Sequence, residues 1–226
     1  MLSKRLIVSL VAVLSAISWM GAEAHAQGRG RGFGRMNSPE RVGVLLVGID
    51  KVQEDLKLTA EQKSELTKVT TAYGEEMQGF FGALQNLSQE ERTKKFAEAQ
   101  EKTKATWEKC EKILSSEQVE RVKQISRQAR GAEALADGDV KLALKLSEDQ
   151  NKQLETIRDA ASQEMRGAFQ QGGDQEAAQK KRAEIRKSAG EKALAVLSDE
   201  QKKEFEKLQG EKIELPEGAL FGPPRR

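Results

Sequence analysis

The sequence predicts an all-α fold: an elongated bundle of two tandem helical-hairpin units, with no sheet. Three observations predict it. All four prolines lie at Pro39, Pro216, Pro223 and Pro224, so the body between Pro39 and Pro216 is free of a residue that costs a helix interior about 3 kcal/mol. That body is rich in Ala, Glu, Lys, Gln and Leu and shows no strand-type alternation. A Leu-Thr/Ser-x-x-Gln pattern, which is a helix-start signal, recurs four times along it.

The first 26 residues have the zones of a secretory signal peptide: Lys4 and Arg5, an apolar run from Leu6 to Trp19, then Ala22, Ala24 and Ala26. Cleavage is expected after Ala26, with periplasmic delivery. The apolar run is shorter than the roughly 20 residues a spanning helix needs, so no stable membrane insertion is expected. The only cysteine, Cys110, lies too far downstream for a lipid anchor. Residues 27–38 open as Gln-Gly-Arg-Gly-Arg-Gly-Phe-Gly-Arg, a flexible Gly/Arg-rich arm.

Ser38 reads as an N-cap with Pro39 at the first helical position. Val42, Leu45, Leu46, Ile49, Val52 and Leu56 then follow at helical spacing as one apolar stripe. Leu58-Thr59-Ala60-Glu61-Gln62 starts the next helix as a capping box: the threonine hydroxyl accepts from the backbone N–H at the third helical position, and the glutamine reaches back to the cap. The pattern returns as Leu114-Ser115-Ser116-Glu117-Gln118, Leu146-Ser147-Glu148-Asp149-Gln150 and Leu197-Ser198-Asp199-Glu200-Gln201. A looser box, Ser88 with Glu91, opens a helix between the first two.

The motifs pair off as an internal duplication. An offset of 88 places Leu58 on Leu146, and also Leu56 on Leu144, Leu66 on Leu154, Val69 on Ile157, Met77 on Met165 and Phe81 on Phe169. The later motifs align at 83, so the second unit is about five residues shorter, with the loss placed at a loop around Gly172-Gly173-Asp174. The first unit spans 39–131 and the second 132–215, followed by a disordered Pro/Arg tail at 216–226.

Composition narrows the chemistry. Cleavage would remove His25, the only histidine, which excludes Ser-His-Asp and Cys-His catalysis and imidazole metal ligation. The chain is expected not to be an enzyme and to use no cofactor. From Glu40 to Leu215 there are 31 basic and 34 acidic residues, finely mixed, which argues against a nucleic-acid platform. One cysteine excludes an internal disulfide framework.

Cys110 aligns with Ala193, as befits a small helical packing site; a reactive thiol or intermolecular disulfide is the other reading. Met77 and Met165 read as core or groove packing before soft metal ligands. The neighbours Glu75-Glu76 and Glu90-Glu91 cannot face each other on a helix and read as solvated faces. Lys180-Lys181-Arg182 with Arg186-Lys187 is a cationic stretch suited to solvent or to an acidic partner.

Four Leu-Thr/Ser-x-x-Gln motifs behind a signal peptide, in a proline-poor charged helical chain, resemble the Spy/CpxP family, whose members carry an LTxxQ motif. The resemblance covers most of residues 39–210, with the two-motif unit doubled. It implies a hooked helical bundle acting in the envelope, either as an ATP-independent chaperone (holdase) for unfolded or envelope proteins or as a stress modulator acting on a sensor kinase. A periplasmic metal sensor or metal-binding protein of the same family is the alternative, drawing here on carboxylates and Cys110. A doubled unit implies a monomer that mimics the family's dimer, or a homodimer. On this reading the motif residues are structural caps, and a client surface is expected at Met77, Phe80, Phe81, Met165 and Phe169.

Overall fold

The computed structural model describes residues 37–84, 87–170, 175–216 and 220. They form α1 (Pro39–Leu46), α2 (Asp50–Asp55), α3 (Ala60–Ala83), α4 (Gln89–Ile113), α5 (Ser116–Arg130), a 3-10 segment (Gly131–Ala136), α6 (Gly138–Ala143), α7 (Glu148–Gln170), α8 (Gln175–Ala195) and α9 (Asp199–Gln209). No strand occurs among the described residues, and the fold is all-α. None of these helices is long and apolar enough to cross a membrane. The leader, the Gly/Arg arm through Met36 and the loop at 172–174 lie outside the described residues.

The N-terminal apolar stripe is not one helix. Ser38 caps α1 through its hydroxyl and Pro39 fills the first position, but the helix stops at Leu46. The turn Val47-Gly48-Ile49 follows, its Val47 carbonyl taken by the Gln53 side chain at 2.9 Å. Glycine inside the stripe weakens the helix there, and the glutamine amide replaces a lost intrahelical partner.

Each unit is then built on the same plan. α2 and α6 end in a corner where Lys57 (φ 51°) and Lys145 (φ 49°) adopt left-handed backbone. Leu58 N–H reaches back to the Gln53 carbonyl at 3.1 Å and Leu146 N–H to the Lys141 carbonyl at 3.2 Å, the six-to-one bond of a Schellman motif. The leucine of the first motif in each unit is thus the apolar residue just past a helix end, tucked inward, and the Thr59 or Ser147 after it caps the next helix.

From these corners rise two long hairpins, α3 against α4 and α7 against α8. At about 1.5 Å per residue each helix is over 30 Å long. In the first hairpin Leu66, Tyr73, Trp107 and Cys110 are buried, and the Tyr73 hydroxyl meets Thr103 Oγ1 at 3.0 Å across the seam. The second hairpin is thinner. No described residue of α7 is fully buried, and on α8 only Ile185 and Ala193 are.

Two cores result. The first joins α1, α2, α5 and the base of the α3–α4 hairpin around Val44, Leu46, Val52, Leu66 and Ile125. α1 packs on α4 and α5 closely enough that a Cβ at Gly43 would sit 2.7 Å from the Trp107 ring. The second core gathers Ala134, Leu135, Val140, Leu144, Leu197 and Phe205, with the 3-10 segment standing where the first unit has α1. The units meet chiefly through α5 and α9, which are duplicates of each other.

Buried arginines organise this junction. Arg127 pairs with Glu120 at 3.0 Å and Asp139 at 2.8 Å and donates to the Leu208 carbonyl at 2.9 Å. Arg130 grips both oxygens of Asp137 at 2.6 and 2.7 Å.

The C-terminal boundary differs from the sequence reading. Residues 211–215, assigned to the second unit, cross back onto the first. Gln128 receives Ile213 N–H at 3.1 Å and donates to the Gln209 and Glu211 carbonyls at 2.6 Å each, and Arg121 holds the Glu211 carbonyl at 2.8 Å. Ile213, Leu215 and Leu220 pack on the first core. The tail read as disordered from Pro216 therefore includes at least one seated residue, because an apolar side chain has uncovered core within reach; residues 217–219 and 221–226 lie outside the described residues.

Candidate functional site

The repeated motif builds more than helix starts. Within each capping box the hydroxyl accepts from the glutamine N–H and the glutamine Oε1 accepts from the cap N–H: 3.1 and 3.1 Å at Thr59–Gln62, 3.3 and 2.8 Å at Ser115–Gln118, 3.1 and 3.0 Å at Ser147–Gln150, and 3.2 and 2.9 Å at Ser198–Gln201. The glutamines then find each other. Gln62 Nε2 donates to Gln118 Oε1 at 2.8 Å and Gln118 Nε2 to Gln62 Oε1 at 3.2 Å. The second hydrogen of each amide goes to a helix end, Gln62 to the Ile113 carbonyl at 2.9 Å and Gln118 to the Leu56 carbonyl at 3.1 Å.

The second unit repeats every bond. Gln150 and Gln201 exchange amides at 2.7 and 3.1 Å, and their outer hydrogens reach the Val196 and Leu144 carbonyls at 3.0 and 3.1 Å. Each amide uses both donors and accepts twice, so a half-buried polar group is fully satisfied. The leucines flanking the clasps close the cores: Leu58, Leu114 and Leu197 are buried and Leu146 is half-buried. The four glutamine amides therefore have no donor left over for a ligand.

The residues read as a client surface separate into two sets. On the first hairpin, Phe80 stacks edge-on with Phe81, centroids 5.2 Å apart, and with Phe96 of α4 at 5.3 Å. Met77 packs one helical turn inward, against the edge of the first core. Phe81 is 40% exposed, and Met77, Phe80 and Phe96 are half-buried. Phe96 was missed from the sequence: its only signal is a lone aromatic in a charged helix, and its partner lies across a hairpin. On the second hairpin Met165 is half-buried on α7, and the Phe169 side chain lies outside the described residues. Leu142 of α6, 80% exposed, is a further apolar residue that the sequence reading passed over.

The remaining candidates are plain. Cys110 is fully buried, and burial, with Glu111 adding to it, pushes its thiol up to about 11. A thiol so placed is protonated and shielded from solvent at neutral pH. Glu76 faces Lys102 at 3.6 Å on an exposed surface. Glu91 completes the Ser88 cap, whose hydroxyl and backbone hold its carboxyl below the usual range. Lys180 and Lys181 pair within their own helix with Glu176 and Glu184 at 2.9 and 3.7 Å, in solvent. Among the described residues no three Cys, Asp, Glu or His side chains converge as a metal site would require.

Comparison with known protein families, with curated proteins and with solved structures finds no match to the chain.

Proposed function

We propose that the chain is an exported, non-catalytic binding protein of the Spy/CpxP type, an ATP-independent periplasmic holdase or envelope-stress modulator. The observation that carries this reading is the apolar cluster Met77, Phe80, Phe81 and Phe96 at the outer part of the first hairpin, left partly open where a packed protein would close it. An aromatic patch of this kind at the end of a rigid arm suits varied unfolded segments, because it asks for apolar area and not for a fixed partner shape. The thinly packed second hairpin offers a further half-open apolar face.

The duplication supports the same reading. Two clasped units joined through α5 and α9 place two arms on one chain, the arrangement a dimer of single units would give. Envelope proteins in unfolded form are the expected clients.

The test is suppression of aggregation of a chemically unfolded client, without ATP, by the chain from Gln27. Phe80→Ser with Phe81→Ser should lower the protective effect severalfold while helicity, read by circular dichroism, stays unchanged. No protection at several-fold molar excess of the parent protein overturns the proposal.

A further inference from the structure

We propose that a groove at the foot of α1 seats the chain's own arginine-rich segment, residues 27–36. The groove is a recess of about 440 Å³ between α1, α4, α5 and the start of α6. Trp107 and Gly43 line it, Glu40 stands on the α1 side and Glu108 on the α4 side.

Charge and connectivity select the occupant. Of the groove's other ions, Glu111 is paired with Lys123, Asp139 with Arg127, and Asp137 with Arg130. Glu40 and Glu108 have no ion-pair partner among the described residues, against a single Lys104. Segment 27–36 carries Arg29, Arg31 and Arg35 and no acid, with glycines between the arginines. It joins the described chain at Asn37, whose side-chain amide donates to Glu133, and Pro39 itself lines the groove. At about 3.3–3.6 Å per residue, Arg35 lies within about 7 Å of Asn37 and Arg31 within about 20 Å. The tether therefore holds both close to a groove whose rim begins at Pro39. A guanidinium meets each of the Glu40 and Glu108 carboxylates.

The inference is independent of client binding at the hairpin tips. It uses the export reading only in taking the chain to begin at Gln27.

In that form Trp107 is the sole tryptophan, so its indole N–H gives one signal in a proton–nitrogen spectrum. Arg29→Gln with Arg31→Gln and Arg35→Gln should move that signal. A synthetic peptide of residues 27–36 added to this variant should return it toward the parent position, saturably. Glu40→Gln with Glu108→Gln should weaken that titration about fivefold, two exposed ion pairs' worth. Trypsin reads the same docking without changing the segment, and cleavage after Arg35 should be several-fold faster in the Glu40→Gln, Glu108→Gln chain.

Identical indole positions in parent and arginine variant, equal cleavage rates, or a peptide that binds both chains alike would overturn the proposal. A parent signal that shifts with protein concentration would also overturn it, since the segment would then sit in a second copy.

Discussion

Lys57 and Lys145 hold the left-handed backbone at the corner before each unit's first motif. An L-residue there costs about 1–2 kcal/mol, whereas glycine gives back roughly 0.5–1 kcal/mol of that advantage in the unfolded chain. Lys57→Gly should therefore stabilise the protein by about 0.5–1 kcal/mol, measured by urea unfolding. The corner was not legible in the sequence, because lysine is not the residue that announces a helix C-terminus. Cys110 was half legible: its alignment with Ala193 pointed to a packing site, and the residue is completely buried. With its thiol near 11, about one part in a thousand is ionised at pH 8. A thiol-specific chromogenic reagent should leave the folded protein unlabelled at that pH and react fully once denaturant is added.

At the scale of elements, the paired glutamines explain why the motif ends in glutamine. A capping box works equally well with glutamate, as Ser88 with Glu91 shows, and a carboxylate near a helix N-terminus is if anything favoured. Glutamate cannot donate, however, so although it still accepts from the opposite amide it loses the bonds to that amide's oxygen and to the carbonyl beyond it. Gln62→Glu should cost about 2 kcal/mol, two net hydrogen bonds, in thermal or urea unfolding, while Glu91→Gln should be nearly neutral. Equal, small effects at both positions would mean that the motif only caps. The sequence exposed all four caps, since capping is local. It hid the pairing, since Gln62 and Gln118 are separated by a whole hairpin. The preference for glutamine at the four strict motifs, beside glutamate at the loose one, was the available signal.

Across the whole molecule, the junction between units depends on charge. Burial raises the Asp139 carboxyl, but its hydrogen bond and attraction to Arg127 outweigh that and leave it below the usual range. For Arg127, burial opposes the cation, yet its bonds to Asp139 and Glu120 leave it more firmly protonated than usual. A carboxyl depressed in the folded state stabilises fully above its unfolded value and loses that contribution as pH falls through the folded one. Thermal stability should accordingly drop below about pH 4, and Asp139→Asn should flatten that acid limb while lowering stability at pH 7. The all-α class, the duplication and the near-neutral mixture of charge were readable in the sequence. Which arginine met which carboxylate was not, because buried partners such as Arg130 and Asp137 look like any others on a charged helix.

The strand of chain that leaves α9 and lies along α5 has a consequence for how the protein comes into being. Ile213, Leu215 and Leu220 lie beyond the whole second unit in the chain, yet they cover the core of the first. The first unit therefore stays incomplete until the segment beyond α9 has been made and is free to return. The two units, drawn as separate in the sequence, thus finish folding together, the second made before the first can close.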